Sequence, residues 1–317
     1  MTHMGRSLMG LSVADDRSFK MEDYQKAEAR WCPGCGDHGV LAAFLRLLAE
    51  EQLRPEETVF VSGIGCSSRF PHYTNTYGFH SLHGRALPVA TGIKLERPDL
   101  HVFVVMGDGD CCSIGGNHWL HATRYNTDML AVVLDNNMYG MTKGQTSPTT
   151  PEGFPSNTQP GGSYLNPLNP LLTTLGMTNA SFVAQTADWI PAHLFETLKA
   201  AYHHKGFSFV RVLQRSPIWT SKIFEEAVRT PDMMEFLVHD EGVWAPSLDQ
   251  VYQNKLYHDP QGLDSARRLA EPGDKIRLGL FYRNEEVPRY DDLRRLPART
   301  SDERVAFVSE ELDRFSI

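Results

Sequence analysis

Apolar and polar positions alternate along this chain in two different periods. Short, nearly continuous apolar runs ("TVFVSGIG", "HVFVVMGDGD", "DMLAVVLDNNMYG", "ASFVAQT" and "FSFVRVLQ") read as buried strands. Between them lie stretches of good helix formers with apolar residues at helical spacing: "VLAAFLRLLAEEQL", "ALPVATGIKLERP", "SIGGNHWLHATRYN" and "HLFETLKAAYHH". Strand, helix and returning strand make a βαβ unit, whose crossover sets its two strands parallel. The expected fold is α/β, a parallel sheet with helices on both faces.

The flanks are patterned less strongly. Residues 1–30 read as a polar N-terminal arm with one helical piece, "MEDYQKAEAR". The segment 143–170 holds six prolines and four glycines, too many for regular structure, and a loop of that length reads as a functional lid or a contact arm. Beyond about 217 the alternation fades into scattered prolines and charges with one late strand, "KIRLGLFY". This predicts a main domain over 31–222 and an irregular C-terminal extension over 223–317 that contacts a partner subunit.

Composition narrows the function classes. Lys and Arg total 31 against 39 Asp and Glu, a net charge of −8, which disfavours nonspecific nucleic-acid binding. No apolar run reaches the roughly 18 residues a membrane helix needs, and the N-terminus reads as no secretory signal. Five cysteines, an odd number, point to reduced thiols rather than a disulfide framework. A soluble, cytoplasmic protein is expected.

The most informative chemistry lies in "GDGD", residues 107–110, and "LDNNMYG", residues 134–140. Asp108 and Asn136 each follow an apolar strand and stand 28 positions apart, the length of one helix and one strand. In a parallel sheet both strand ends open onto the carboxyl edge, where open α/β proteins bind ligands. Their oxygens, with a backbone carbonyl, suit Mg²⁺, while Gly107 and Gly109 let the backbone approach a diphosphate. A helix beginning near Ser113 would aim its N-terminus at that charge. Either motif alone is more often a plain turn; the pair at this spacing resembles the thiamine diphosphate motif.

"RWCPGCGDHGV" places Cys32 and Cys35 on one tight turn, and "GIGCSSRFPHY" adds Cys66. On spacing alone these thiolates suit zinc or an iron–sulfur cluster. A zinc ribbon would want a second Cys-x-x-Cys pair, which the sequence lacks. Cys111 and Cys112 read as buried fillers, or as a ligand reaching a nearby cluster.

With "CPGCGDHG", "GIGCSSRFPHYTNTYGFHSLHGRALPVATGIK", "GDGD…IGGNH" and "DNNMYGMTKGQTSPT" in order, the chain resembles the β subunit of 2-oxoacid:ferredoxin oxidoreductases, most of all the 2-oxoglutarate type. The resemblance covers roughly residues 30–220. It implies a thiamine diphosphate-binding pyrophosphate domain, a 4Fe–4S cluster and Mg²⁺. The implied activity is reversible oxidative decarboxylation of a 2-oxoacid to its coenzyme A thioester and CO₂, with electrons passed to ferredoxin. By position, Asp108, Asn136 and the Met138 carbonyl would hold Mg²⁺. Ile64, Gly65, Cys66, Ser67, His83, Gly84, Arg85, Gly107, Gly109, Asp110, Tyr139, Gly140 and Met141 would line the cofactor. An α subunit would supply the activating glutamate and most of the coenzyme A site, in an α2β2 assembly. The family's fourth cluster cysteine follows the strand "FVRVLQ", and here Ser216 stands in its place.

Arg69, three residues after Cys66, is a candidate to grip a substrate carboxylate, or else makes a surface or interface salt bridge. Of the histidines, only His83 is assigned a cofactor role; His38, His72, His80, His118 and His121 read as structural. Lys143 and Gln145 would cover the substrate or anchor the long loop. "RRLPAR", 294–299, is a weak basic candidate for docking ferredoxin. The competing readings are a non-redox thiamine diphosphate decarboxylase or lyase with structural zinc, an assembly module without enzymatic activity, and a pyruvate or broad 2-oxoacid specificity.

Overall fold

The computed structural model describes residues 17–240, 242–294 and 300–315. Its framework is a nine-stranded sheet. The strands are β1 (Thr58–Ser62), β2 (Tyr77–His80), β3 (His101–Gly107), β4 (Met129–Asp135), β7 (Phe182–Ala187), β8 (Phe207–Leu213), β9 (Met234–Val238), β10 (Lys255–Tyr257) and β11 (Ile276–Arg283). A separate antiparallel ladder joins β5 (Met138–Tyr139) to β6 (Gln145–Thr146). The sheet order is β10-β9-β11-β7-β8-β4-β3-β1-β2, and only the β11–β7 pairing is antiparallel.

Helices cover both faces because the central strands are apolar on both. Along β3, Phe103 and Val105 enter one core while Val102, Val104 and Met106 enter the other, the period of two that a strand imposes. The first core is closed by α1 (Asp37–Glu50) and α6 (Pro191–His203), which also touch each other. The second is closed by α3 (Ala86–Glu96), α4 (Gly116–Tyr125), α5 (Pro170–Gly176) and α8 (Leu263–Ala270). No helix among the described residues is long and apolar enough to cross a membrane.

Three expectations are corrected. "MEDYQKAEAR" forms only one 3₁₀ turn, Met21–Tyr24, and then runs extended, with Gln25 bridged to Thr74. Tertiary contacts override its helix propensity there: the buried Tyr24 hydroxyl donates to the Leu53 carbonyl at 2.7 Å, with the Leu48 carbonyl 3.0 Å away. The helix expected from Ser113 opens instead as a π-helical turn, Asp110–Ile114, with α4 following at Gly116. The tail is also more regular than its pattern suggests. Residues 234–283 extend the main sheet by β9, β10 and β11, whose inner faces carry a third apolar cluster including Met234, Phe236 and Leu278. β9 and β10 are short and carry charges, so their period is hard to read, whereas the eight-residue β11 contains the late strand expected from "KIRLGLFY". Of "RRLPAR", residues 295–299 lie outside the described residues, as do residues 1–16 of the N-terminal arm.

Candidate active site

β1, β3, β4 and β8 run parallel, so their carboxyl ends share one edge. At that edge a cleft opens. Ile64, Gly65, Cys66 and Ser67 after β1, His83 after β2, Gly107 to Asp110 after β3, and Asn136 with Met138 to Met141 after β4 line it. Every expected cofactor contact is among them except Gly84 and Arg85, which sit just behind His83; Leu134 and Thr142 are additions.

Asp110 organises the cleft floor. Its Oδ1 accepts from the Gly84 amide at 2.7 Å and the Ile64 amide at 3.2 Å, and faces His83 Nδ1. One buried carboxylate thus ties the β1 loop and the His83 turn to the end of β3. The approach is close: a methyl on Gly63 would lie 2.0 Å from the Asp110 Oδ2, so only glycine fits there. Gly109 is constrained from above, since a Cβ would meet the Tyr139 ring at 2.2 Å, and the Tyr139 hydroxyl donates to the Gly109 carbonyl.

Asp108 is buried beside Asp135, and burial together with that neighbouring charge pushes its carboxyl up to about 7. The Ser147 and Thr149 hydroxyls pull the other way. Asp135 lies beneath, held by Arg211 from the middle of β8. Asn137, at φ 60°, takes the left-handed conformation that Asn tolerates, and turns the chain between Asn136 and Met138. Asn136 Oδ1 accepts from the Met138 amide at 3.1 Å. The donor set suits a hard cation with a diphosphate: a buried carboxylate, an amide oxygen at the next strand end, and glycines where side chains would obstruct. Asp110 Oδ2, buried without a hydrogen-bond partner, is a further sign that the floor is built for a polar occupant.

The cysteine turn sits at the start of α1. Pro33-Gly34, with Gly34 at φ 77°, forms a tight turn closed by the Cys35 amide on the Cys32 carbonyl. Gly36 follows because Asp188 leaves no room for a Cβ. Cys66 is tied to this region through its carbonyl, which accepts from the Trp31 indole at 2.7 Å. Burial and the nearby Asp37 push the Cys35 thiol well up, while burial, Asp37 and Cys32 raise Cys66 to about 11. Asp37 is itself buried and raised to about 7, chiefly by desolvation. These shifts favour the thiol form, and a bound metal's charge would oppose them. Among the described residues no three His, Cys, Asp or Glu side chains converge as ligands of one ion. A cluster spreads its ligands over several irons, so this does not count against one.

Other expected residues fall as follows. Ser216 is buried, and its hydroxyl accepts from the Trp219 amide at 3.4 Å, capping the turn after β8. Its neighbour Gln214 touches the cysteine turn instead, donating to Cys35 Sγ at 3.2 Å. Cys111 and Cys112 pack in the core on the opposite face of the sheet from Cys35 and Cys66, which leaves the filler reading. Arg69 lies outside the cleft lining, with its guanidinium over Tyr73 and 3.4 Å from the Arg30 carbonyl. Gln145 and Lys143 anchor the long loop through Thr142 and Asn157. His72 and His80 meet with their rings tilted by 59°, and His38 meets Trp31 edge-on.

In the segment after β8 the sequence singled out Ser216 but not Gln214, Trp219 and Thr220, which link the cysteine turn to the end of β4. The Gln214 amide donates to the Asp135 carbonyl, the Thr220 hydroxyl donates to the Asn136 carbonyl, and Trp219 covers Gly140 and Gly144. Sequence reasoning also missed Asp135, Arg211 and Thr149, because nothing in "VLDNN", "FVRVL" or "SPTT" marks a buried polar network.

Comparison with known proteins bears on the fold and the family. The family described as thiamine pyrophosphate enzyme, C-terminal TPP binding domain, matches residues 63–212. The 2-oxoglutarate oxidoreductase subunit KorB of Mycobacterium tuberculosis is 41% identical over 88% of this chain and 82% of its own length. The 2-oxoacid:ferredoxin oxidoreductase 1 β subunit of Aeropyrum pernix is 36% identical over 83% and 80%. A solved structure of 2-oxoglutarate:ferredoxin oxidoreductase from Magnetococcus marinus, with 2-oxoglutarate, coenzyme A and succinyl-CoA bound, superposes with a TM-score of 0.76 at 35% identity. It covers 95% of this chain and 93% of that one.

Proposed function

This chain belongs to the β subunits of the 2-oxoglutarate:ferredoxin oxidoreductase family, and from that membership we propose that it is the thiamine-binding half of a coenzyme A-dependent 2-oxoglutarate oxidoreductase. The observation that carries the reading is the convergence of Asp108, Asn136, Gly109 and Asp110 on one cleft at the carboxyl edge of the sheet. An α subunit completes the site. The non-redox lyase reading is not favoured, since the relatives are oxidoreductases.

Several finer assignments are part of the proposal. Asp108, Asn136 and the Met138 carbonyl would hold Mg²⁺ against the cofactor diphosphate. Bound there, thiamine diphosphate supplies the electron sink for losing CO₂ from a 2-oxoacid. His83, fixed by Asp110, presents its ring at the cleft as a contact for the diphosphate. Cys32, Cys35 and Cys66 would hold a 4Fe–4S cluster, with Ser216 where a fourth cysteine is expected. The fit is supported by the shared neighbourhood of the three thiols and by Gln214, whose contacts link that neighbourhood to the end of β4. Arg69 remains the candidate grip on a substrate carboxylate: it is half-buried and pairs with no carboxylate among the described residues. Transfer to ferredoxin, an α2β2 assembly, partner contacts by the C-terminal extension and a cytoplasmic location complete the reading.

The test is anaerobic. The chain is purified with its α subunit, its visible spectrum is recorded, and 2-oxoglutarate and coenzyme A are added. Brown absorbance that bleaches only with both is the expected result. A colourless protein, or bleaching by pyruvate but not 2-oxoglutarate, overturns the corresponding part.

A further inference from the structure

We propose that Thr149 is a positioning residue of the metal–diphosphate site, one that couples occupancy of that site to the closed conformation of the loop 143–170. The inference rests on the thiamine diphosphate reading above but adds a residue outside the cleft lining. Thr149 is 3% exposed and belongs to the proline-rich loop, 41 positions from Asp108 in sequence. Its Oγ1 lies 2.8 Å from Asp108 Oδ2 and 2.7 Å from Asp135 Oδ1.

One hydroxyl carries one hydrogen, so Thr149 donates to one carboxylate at a time and faces the other with lone pairs. Asp135 does not depend on it: the Asn137 amide and side chain, each at 3.2 Å, serve the same Asp135 oxygen, and Arg211 serves the other. Among the described residues, Thr149 is the side chain hydrogen-bonded to Asp108, and the Ser147 hydroxyl of the same loop also favours its charged form. Closing the loop therefore sets a hydroxyl oxygen between two buried carboxylates. A cation on Asp108 lowers that repulsion, and the closed loop in turn orients the carboxylate for the cation. Coupling of this kind is reciprocal by thermodynamic necessity.

The same segment is stitched to the turn carrying the other proposed ligands. The Asn137 side chain donates to the Thr149 carbonyl at 2.8 Å, and the Thr150 hydroxyl donates to the Asn137 carbonyl at 2.6 Å. Thr150 Oγ1 accepts from the Ser147 amide, and the Pro148 carbonyl accepts from the Leu168 amide, both at 2.8 Å. Residues 147–150 thus join the end of β3, the turn after β4 and the far end of the loop. Partners of metal ligands at this remove change affinity by about 10–100-fold when lost.

The experiment uses the assembled α and β subunits stripped of cofactor. Thiamine diphosphate is titrated at fixed Mg²⁺, Mg²⁺ is titrated at fixed thiamine diphosphate, and hydrogen exchange of peptides spanning 143–168 is followed. In the wild type, Mg²⁺ with thiamine diphosphate slows exchange in those peptides. Thr149→Val raises the Mg²⁺ requirement by about tenfold or more and abolishes the added protection, while Thr149→Ser, which keeps the hydroxyl, restores both. Wild-type Mg²⁺ dependence and loop protection in Thr149→Val would overturn the inference. Equal loss in the Val and Ser variants would also overturn it, by assigning the effect to packing. A wild-type complex that binds no thiamine diphosphate would overturn the cofactor reading itself, a distinguishable result.

Discussion

Arg211 grips one Asp135 oxygen, Oδ2, with two nitrogens, Nε at 2.7 Å and Nη2 at 2.6 Å, and the pair lies beneath the cleft floor. Asp135 is fully buried, and the cation paired with it is this guanidinium, which also donates to Gln185 on β7. Removing one partner of such a pair leaves an unpaired buried charge, at a cost of about 3–5 kcal/mol. Arg211→Met is expected to lower the urea midpoint accordingly. Arg211→Lys, which keeps the charge but not the fork, should fall between it and the wild type. Equal midpoints for Arg211→Met and the wild type would show that the pair carries no such role.

Gly109 is required by the ring above it rather than by its backbone angles. A methyl there would meet Tyr139 Cε1 at 2.2 Å, so Gly109→Ala must displace the ring that forms one wall of the cleft. Thiamine diphosphate binding, read by calorimetry on the assembled subunits, should be lost. Tyr139→Phe removes only the hydroxyl bond to the Gly109 carbonyl and should bind within a few-fold of wild type. Undiminished binding by Gly109→Ala would contradict the assignment of this wall.

Most of the framework was legible because β1, β3, β4, β7 and β8 are buried almost throughout on both faces and so spell themselves as nearly continuous apolar runs. The site was legible for a related reason. Residues at the ends of parallel strands meet at one edge, so "GDGD" and "DNN" could be joined without knowing the sheet order. The edge strand β2 was not legible, since all four of its residues are exposed and carry no burial period. The polar network below the floor was hidden for the opposite reason. Arg211 sits inside an apolar strand and Thr149 inside a proline-rich loop, and only the fold brings each to Asp135. "Ser for Cys" at 216 was visible as a departure, but not that Gln214, two residues earlier, would be the one touching Cys35.

Ser216 gives the cluster proposal its sharpest test. It is buried at the start of the turn after β8, where its hydroxyl makes one long bond to the Trp219 amide. Cysteine is close in size and would forfeit little there, while thiolate is a softer and better donor to iron than a serine hydroxyl. Ser216→Cys is therefore expected to slow loss of iron and of visible absorbance when the anaerobically purified complex meets air. Identical decay in the two proteins would count against a cluster next to residue 216.

His193 makes stability depend on pH. It is fully buried on α6, its Nδ1 meets the Thr186 hydroxyl at 2.8 Å, and burial depresses it to about 3. Between its ordinary value near 6.5 and about 3, the unfolded chain takes up a proton that the folded one refuses. Stability is thus intact above pH 6.5 and falls as the pH drops through that window. At pH 5 the loss from this one residue is about 2 kcal/mol. Asp37 and Asp108, raised to about 7, act in the opposite sense over part of the same range, so the net wild-type curve is not diagnostic. The difference between proteins is. His193→Asn can keep a partner for Thr186 but cannot titrate, so it should lose about 2 kcal/mol less than the wild type between pH 7.5 and pH 5 in urea unfolding. Parallel pH curves for the two proteins would show that His193 is protonated in the folded chain.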